Sequence, residues 1–544
     1  MVEHLSSMDA SFLHFETPET PMHVGSLMLF ELPKGYRGDF YEDVKAMLRK
    51  RLHLSGLLTR KLAQMPFELA DPVWIEDDDI DLDYHVRHVT LRKPGTMHQL
   101  EQLIARLHSS LLDRSRPLWE MVVIEGLHDG QVAFYSKAHH SGVDGAAGVE
   151  LAKVLYDVTP EMREVPPPRR RRDSGGGGAY QLGVAELLQA AAQNSLRQYR
   201  KIAELVPTAV RAIATAGGVL ASQRSGAGAR SLNLGLAPKT VFQDSITNQR
   251  SYSTLSLPLA DLKDTGKRVG GTVNTIVMAM CSAALRRFLK ERNELPKESL
   301  IALVPVSLRA ADDASMNNQV SVIRVDLATE IDDLAERFKA IHGSSEAAKG
   351  VVRELKPVLG VDLPVTGSPW FMTSLASLYG RSKLASRMPA AGNVLISNVP
   401  GPPMTLYMAG AKMTHYYPVS IPYHGSALNI TVHSYAGSLE FGLTACRRVV
   451  SQDESYELVR YLRDALDQIK KLPSIDAPAA VEAPARAAKP ARAAKPARAA
   501  KRAVATKAAP PAKPTRAIKP PRAIKPPRVA KPARATKTGR SARV

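Results

Sequence analysis

One segment, Gln131–Gly145 (QVAFYSKAHHSGVDG), constrains the fold more than any other. Residues 131–138 alternate as in a half-buried strand, so Val132, Phe134, Ser136, Ala138 and His140 share one face. Val132 and Phe134 mark that face as interior, which aims His140 inward at the strand's C-terminal end. Gly142 and Gly145 allow the loop beyond to turn tightly. A helical pattern follows over Ala146–Leu155, with Asp144 near its N-terminus, where a carboxylate is favoured. A strand that passes through a polar loop into a helix is an α/β unit.

The chain has 544 residues, too many for a single hydrophobic core, so more than one domain is expected. Residues 1–164 form a first α/β unit, with a strand at His23–Glu31 and a helix at Met97–Leu112. Residues 165–231 read as a linker: Pro166–Pro168, Arg169–Arg172 and Gly175–Gly178 break the pattern. The arginines suit a solvated loop or an acidic headgroup. Within the linker, apolar residues recur at helical spacing from Leu182 to Ala221, as in amphipathic helices that pack on the domains or lie on a membrane. Residues 232–475 form a second α/β unit. It has strands at 251–257, 300–305, 319–327, 394–397, 427–434 and 439–445, and helices at 273–290, 331–347 and 452–472. The helix over 273–290 is apolar around most of its circumference and is expected to be buried.

Residues 476–544 are of low complexity and cannot fold alone. After Glu482 there is no acid, and 19 of the chain's Lys and Arg residues follow; taken from the net charge of +20, they leave +1 for residues 1–482. The cations fall at every third position over Arg486–Lys501 and Lys513–Arg543. That spacing drifts around an α-helix but lines one side of a polyproline II helix, which has three residues per turn. Such an arm would bind nucleic acid or anionic lipid. Two cysteines, Cys281 and Cys446, argue against a disulfide framework and for a reducing, cytoplasmic setting. No signal peptide is seen at Met1–Ala10. No stretch reads as a membrane span, because Val273–Leu285 is too short and Arg211 interrupts Leu205–Ala221. The protein is expected to be cytoplasmic, soluble or peripheral to a membrane or lipid inclusion.

A histidine in an apolar site stays a free base at physiological pH and can take a proton from a hydroxyl that attacks a thioester. No G-x-S-x-G nucleophile elbow occurs, so direct transfer without an acyl-enzyme is the simpler mechanism. His139 and His140 face opposite sides of a strand and cannot easily share a metal ion, so no metal is expected. Read on residues alone, the pair could also be a structural core pair, with Asp144 as a helix cap.

The string His-His-x-x-x-Asp-Gly resembles the active-site motif of the chloramphenicol-acetyltransferase-like superfamily. The rest of the chain resembles one branch of it, the bacterial wax ester synthase/diacylglycerol acyltransferases. The similar segments are Leu5–Glu16 (LSSMDASFLHFE), Pro21–Gly25 (PMHVG), Trp74–Val86, Leu112–Glu120 (LDRSRPLWE), Val304–Arg309, Ile396–Pro402 (ISNVPGP) and Ser434–Leu443. The resemblance covers residues 1–472. It implies two superposable α/β halves with mixed sheets and a tunnel between them. It also implies acyl transfer from acyl-CoA, a substrate and not a cofactor, to diacylglycerol or a long-chain alcohol. His140 would be the base, His139 its support, Asp144 mainly structural, and Gly145 would clear space. Pro117, Leu118 and Trp119 would shape the acyl path. Asn274 matches a family Asn-Asp motif, but Thr275 replaces the acid, and Cys446 stands where an Asp is expected. Another acyltransferase or condensation-type enzyme of the superfamily, or a non-enzymatic lipid-granule coat protein, are the alternatives.

Overall fold

The computed structural model describes residues 3–63, 71–143, 145–167, 236–307, 320–359 and 390–474, with three single positions between 360 and 390. Most of the linker, its apolar helical stretch, Asp144 and the basic tail lie outside the described residues. The first segment runs β1 (Glu3–His4), α1 (Ser7–Phe15), β2 (His23–Glu31), α2 (Phe40–Arg51), α3 (Gly56–Thr59), β3 (Arg60–Ala63), β4 (Val73–Glu76), α4 (Leu82–His85), β5 (Val86–Thr90), α5 (Met97–His108), β6 (Trp119–Glu125), β7 (Val132–His139) and α6 (Gly145–Leu155). The second runs β8 (Arg250–Pro258), α7 (Leu259–Val269), α8 (Val273–Glu291), β9 (Ile301–Ser307), β10 (Val320–Asp326), α9 (Leu334–Leu359), β11 (Val394–Val399), β12 (Tyr407–Met408), β13 (Ala411–Val419), β14 (Leu428–Tyr435), β15 (Ser438–Cys446) and α10 (Gln452–Ile469). No single helix among the described residues is long and apolar enough to cross a membrane.

Two six-stranded mixed sheets dominate, ordered β12-β13-β2-β7-β6-β5 and β10-β9-β11-β14-β15-β8, beside a small β1-β4-β3 sheet. The second segment does not keep to its own sheet. β13 leaves it and pairs antiparallel with β2, from Lys412 opposite Glu31 to Val419 opposite Gly25. Its departure needs glycine on the neighbouring strand. A Cβ at Gly442 of β15 would lie 1.8 Å from the Pro418 carbonyl oxygen, closer than any side chain tolerates. Further ties cross the same seam: Tyr252 donates to Pro418 O at 3.1 Å, and Thr254 donates through N and Oγ1 to Glu101 Oε1 at 2.8 and 2.7 Å.

Three of the long helices start at a cap that the sequence provides. Thr96 with Gln99, Thr272 with Thr275 and Ser451 with Glu454 form reciprocal capping boxes at α5, α8 and α10. α8 is buried as its composition predicts: Ile276, Val277, Met278, Met280 and Leu285 are inaccessible in the core of the second sheet. Each such side chain contributes about 1.5–3 kcal/mol of burial.

β7 departs from expectation. It is buried on both faces, not half-buried. Val132, Phe134 and Ala138 join the core shared with α2, while Ala133 and Tyr135 pack with Leu100 and Ile104 of α5. Lys137 falls on the supposedly wet side and is buried as well. Its ammonium meets Glu120 Oε2 at 2.7 Å and donates to the carbonyls of Leu107 and Ser110 at 3.1 and 3.0 Å, capping the C-terminal end of α5. Alternation in the sequence reflected a satisfied buried cation, not solvent.

Candidate active site

β7 ends at His139, and the backbone of the histidine pair is clamped from both neighbouring strands. His139 N donates to Leu118 O at 3.0 Å, just before β6 begins, and His140 N donates to Met22 O at 2.8 Å, just before β2 begins. The Pro-Leu-Trp segment therefore supports the site directly. Pro117, Leu118 and Trp119 are all buried. Trp119 donates through Nε1 to Leu58 O at 3.1 Å, and its ring stacks on His85 with centroids 4.2 Å apart. The Pro21–Gly25 segment acts from the other side. A Cβ at Gly25 would lie 2.8 Å from the Ser136 carbonyl oxygen, so glycine lets β2 close on β7. Gly142 does not adopt the left-handed backbone that tight turns favour; its missing side chain makes room for Leu57, whose Cδ1 would be 2.9 Å away.

The two imidazoles have different surroundings. His139 is inaccessible to solvent. Ser141 N donates to its Nδ1 at 3.1 Å, with Ser141 Oγ at 2.7 Å. With Nδ1 an acceptor, the network assigns the ring proton to Nε2. Nε2 stands 3.2 Å from Glu16 Oε2, off-line for a hydrogen bond. Glu16 is itself saturated: it accepts from Met22 N at 2.9 Å and from Arg114 at 2.8 and 3.2 Å. Burial alone would raise the Glu16 carboxyl, but His139, Arg114 and the Met22 N–H outweigh it and bring it from 4.5 to about 2. His140, one residue past the strand, is half-buried, and its ring lies flat on Phe12 of α1, with centroids 4.1 Å and planes 9° apart.

Sequence reasoning did not assign Glu16, Arg114, Ser141 or Phe12 to the site. Glu16 and Phe12 sit in Leu5–Glu16, and Arg114 in Leu112–Glu120. A lone acid closing an apolar stretch was the available signal. Asp144 lies outside the described residues, and Gly145 opens α6. The C-terminal end of α6 is held by buried Arg51, which donates to Val154 O at 3.1 Å and pairs with Asp157 at 2.7 Å. Asn274 is half-buried in the first turn of α8. Beside it Thr275, in place of the expected acid, completes the helix cap with Thr272 at 3.0 Å and reaches His342 Nδ1 at 3.2 Å. Cys446 is buried opposite Arg250 and lies 3.4 Å from Thr247 N. Arg250 donates to Glu19 O at 2.7 Å, across the seam between the segments. A cavity of about 90 Å³ is lined by polar Ser26, Ser136 and Lys137 together with Trp119, Val143 and Leu151.

Two interlocked mixed sheets, with a histidine pair at the end of a central strand of the first, make up the fold of condensation domains. The first condensation domain of the calcium-dependent antibiotic synthetase shares that fold, with a TM-score of 0.52 at 15% identity over 87% of this chain and 97% of that one. The chain belongs to the wax ester synthase/diacylglycerol acyltransferase family. Residues 5–277 match its catalytic domain and residues 316–470 its C-terminal domain. A probable diacylglycerol O-acyltransferase of Mycobacterium tuberculosis is 37% identical over 469 residues, which cover 86% of this chain and 98% of the relative. The O-acyltransferase WSD of Acinetobacter baylyi is 34% identical over 82% of this chain and 93% of its own. The solved wax ester synthase/diacylglycerol acyltransferase of Marinobacter aquaeolei superposes with a TM-score of 0.60 at 30% identity, covering 86% of this chain and 98% of that one.

Proposed function

We propose that this acyltransferase moves a long-chain acyl group from acyl-CoA to the hydroxyl of diacylglycerol or of a long-chain alcohol, with His140 as general base. The observation that carries the reading is the unequal pair. His139 is locked by Ser141 and Glu16, while the His140 ring is half-buried at the strand's end with its backbone held by Met22. The acceptor's O–H proton passes to the His140 imidazole as its oxygen attacks the thioester carbonyl. The tetrahedral intermediate then collapses, the C–S bond breaks, and the CoA sulfur takes the proton back from the imidazolium. No covalent acyl-enzyme is needed. Excluding water over the site protects the thioester from hydrolysis. Purified protein given radiolabelled palmitoyl-CoA with diacylglycerol, hexadecanol or water should form triacylglycerol or wax ester and little free palmitate. His140→Ala should lower that rate by roughly 10²–10⁴. A His140→Ala protein with wild-type rates and an intact circular dichroism spectrum would sink the assignment.

The basic tail supports a second element of the reading: a polyanion-binding arm that brings the enzyme to anionic lipid or nucleic acid, peripheral to a membrane or inclusion in the cytoplasm. Its cations recur with period three and prolines flank many of them. Deleting residues 483–544 should leave turnover on dispersed substrate nearly unchanged and abolish retention on anionic vesicles or DNA-cellulose at low salt. Lost turnover with retained binding contradicts this.

A further inference from the structure

α1 presents two unlike faces. Its inner face is firmly held: Asp9, Ala10, Leu13 and His14 are buried, and Leu13 clusters with Leu62, Leu112 and Leu118. Ser6 caps the first turn by accepting from Asp9 N at 3.1 Å, His14 meets Asp71 at 2.8 Å, and Arg114 donates to Leu13 O at 2.8 Å. Its outer face is Met8, Ser11, Phe12 and Phe15, a spacing that puts all four on one side of a helix. There Met8 is 41% and Phe15 45% exposed. Leu111, 43% exposed, stands on the loop whose Leu112 and Arg114 grip this helix. Scattered exposed apolar residues need no explanation, but a shared corner does. This corner runs into the site itself, because Phe12 on the same face is the ring that covers His140. Half-exposed Arg114 and Arg116 stand on the same loop. An exposed apolar helix face with an arginine, here Arg114, at its end suits a helix lying in a lipid–water interface.

We propose that the outer face of α1, together with Leu111, seats the enzyme on the lipid surface that holds the acyl acceptor. The acceptor would then pass under Phe12 to His140 without crossing water. The inference rests on the acceptor being a water-insoluble alcohol, as argued above. That chemistry selects a lipid surface as the occupant: a protein partner seated here would cover the approach to the imidazole, whereas a lipid surface supplies it.

The test uses the full chain and neutral phosphatidylcholine vesicles carrying dioleoylglycerol. Salt of about 1 M, where the screening length is about 3 Å, suppresses the tail's attraction. Combining Met8→Ser, Phe15→Ser and Leu111→Ser should lower the floated fraction and the turnover on vesicle-borne acceptor by about tenfold or more. Turnover on dispersed dihexanoylglycerol should stay within about twofold of wild type, because none of the three touches the histidines. Phe15→Trp alone, a mild change at an exposed site, should show fluorescence quenched by brominated phosphatidylcholine beyond the wild-type level. Undiminished flotation of the triple variant, or no added quenching of Phe15→Trp, overturns the proposal, as does a dimer on sedimentation that buries the new tryptophan. If the wild type turns over neither acceptor, the transfer reading fails instead, and flotation and quenching still decide the surface.

Discussion

Replacing Glu16 by Gln tests whether the locked histidine matters. Glu16 Oε1 accepts twice from Arg114, while Oε2 accepts from Met22 N and faces His139 Nε2 at 3.2 Å. An amide keeps one acceptor and turns an NH₂ toward donors. It leaves Arg114 without a counter-charge and His139 Nε2 without the carboxylate that faces it. The Glu16 carboxyl lies at about 2 against a usual 4.5, a difference equivalent to about 3 kcal/mol of stability at neutral pH. The sign follows from the depressed value: the stabilisation is complete above pH 4.5 and disappears as pH falls from there toward 2. Glu16→Gln should therefore lower the urea midpoint at pH 7 by the equivalent of about 3 kcal/mol, and its stability should fall less steeply than wild type between pH 4.5 and 2. Because Glu16 reaches the chemistry through His139 and, by way of Met22, through the backbone of His140, kcat should drop by roughly 10–100-fold, the usual cost of losing a partner that orients a functional histidine, with KM little changed. Urea titrations followed by fluorescence across pH, with radiolabelled turnover at pH 7, give both readouts. A variant that unfolds with the wild type at pH 7, keeps its acid limb and loses less than twofold in kcat would refute the argument.

Two further outcomes follow from the structure. Initial-rate plots at varied acyl-CoA and acceptor should intersect, as for transfer through a ternary complex; parallel lines or an acylated protein by mass spectrometry would replace His140 by a covalent route. Glu101, whose carboxyl burial pushes up to about 7 against hydrogen bonds from Thr254, contributes stability that is present below pH 4.5 and lost as pH rises through 7, so Glu101→Gln should match wild type near pH 5 and melt at higher temperature near pH 8. Melting curves that respond to the substitution equally at both pH values would contradict that burial effect.

Long, strongly patterned elements were legible in the sequence. The strand His23–Glu31 and the helix start at Val273 coincide with the structure, because the short apolar run Leu27–Phe30 and the Thr272 cap are local signals. The exchange of β13 into the first sheet was not legible. The sequence of Ala411–Val419 carries a strand pattern at most, and its partner β2 lies far away in the chain. Nothing local distinguishes pairing with β14 from pairing with β2. The buried Lys137 misled for a related reason: an ammonium satisfied by Glu120 and two helix-end carbonyls reads, in one dimension, as a wet position.

The site shows the same division between local and distant information. His139, His140 and the loop after them stood out because a strand, a polar pair and two glycines follow one another directly. What makes the two histidines unequal is spread over three segments: Phe12 of α1 with Glu16 just past its end, Leu118 and Arg114 from the approach to β6, and Met22 before β2. The Leu5–Glu16 segment matched the family without showing why it should. The geometry supplies a reason. Its buried face carries Leu13 into the core, its last residue neutralises Arg114 and faces His139, and its outer face lays Phe12 over His140. One nine-residue helix thus couples the position of one histidine to the cover over the other. A substitution that shifts α1, even one confined to Leu13, should change both at once. Changes at His139 alone leave the Phe12 stack in place.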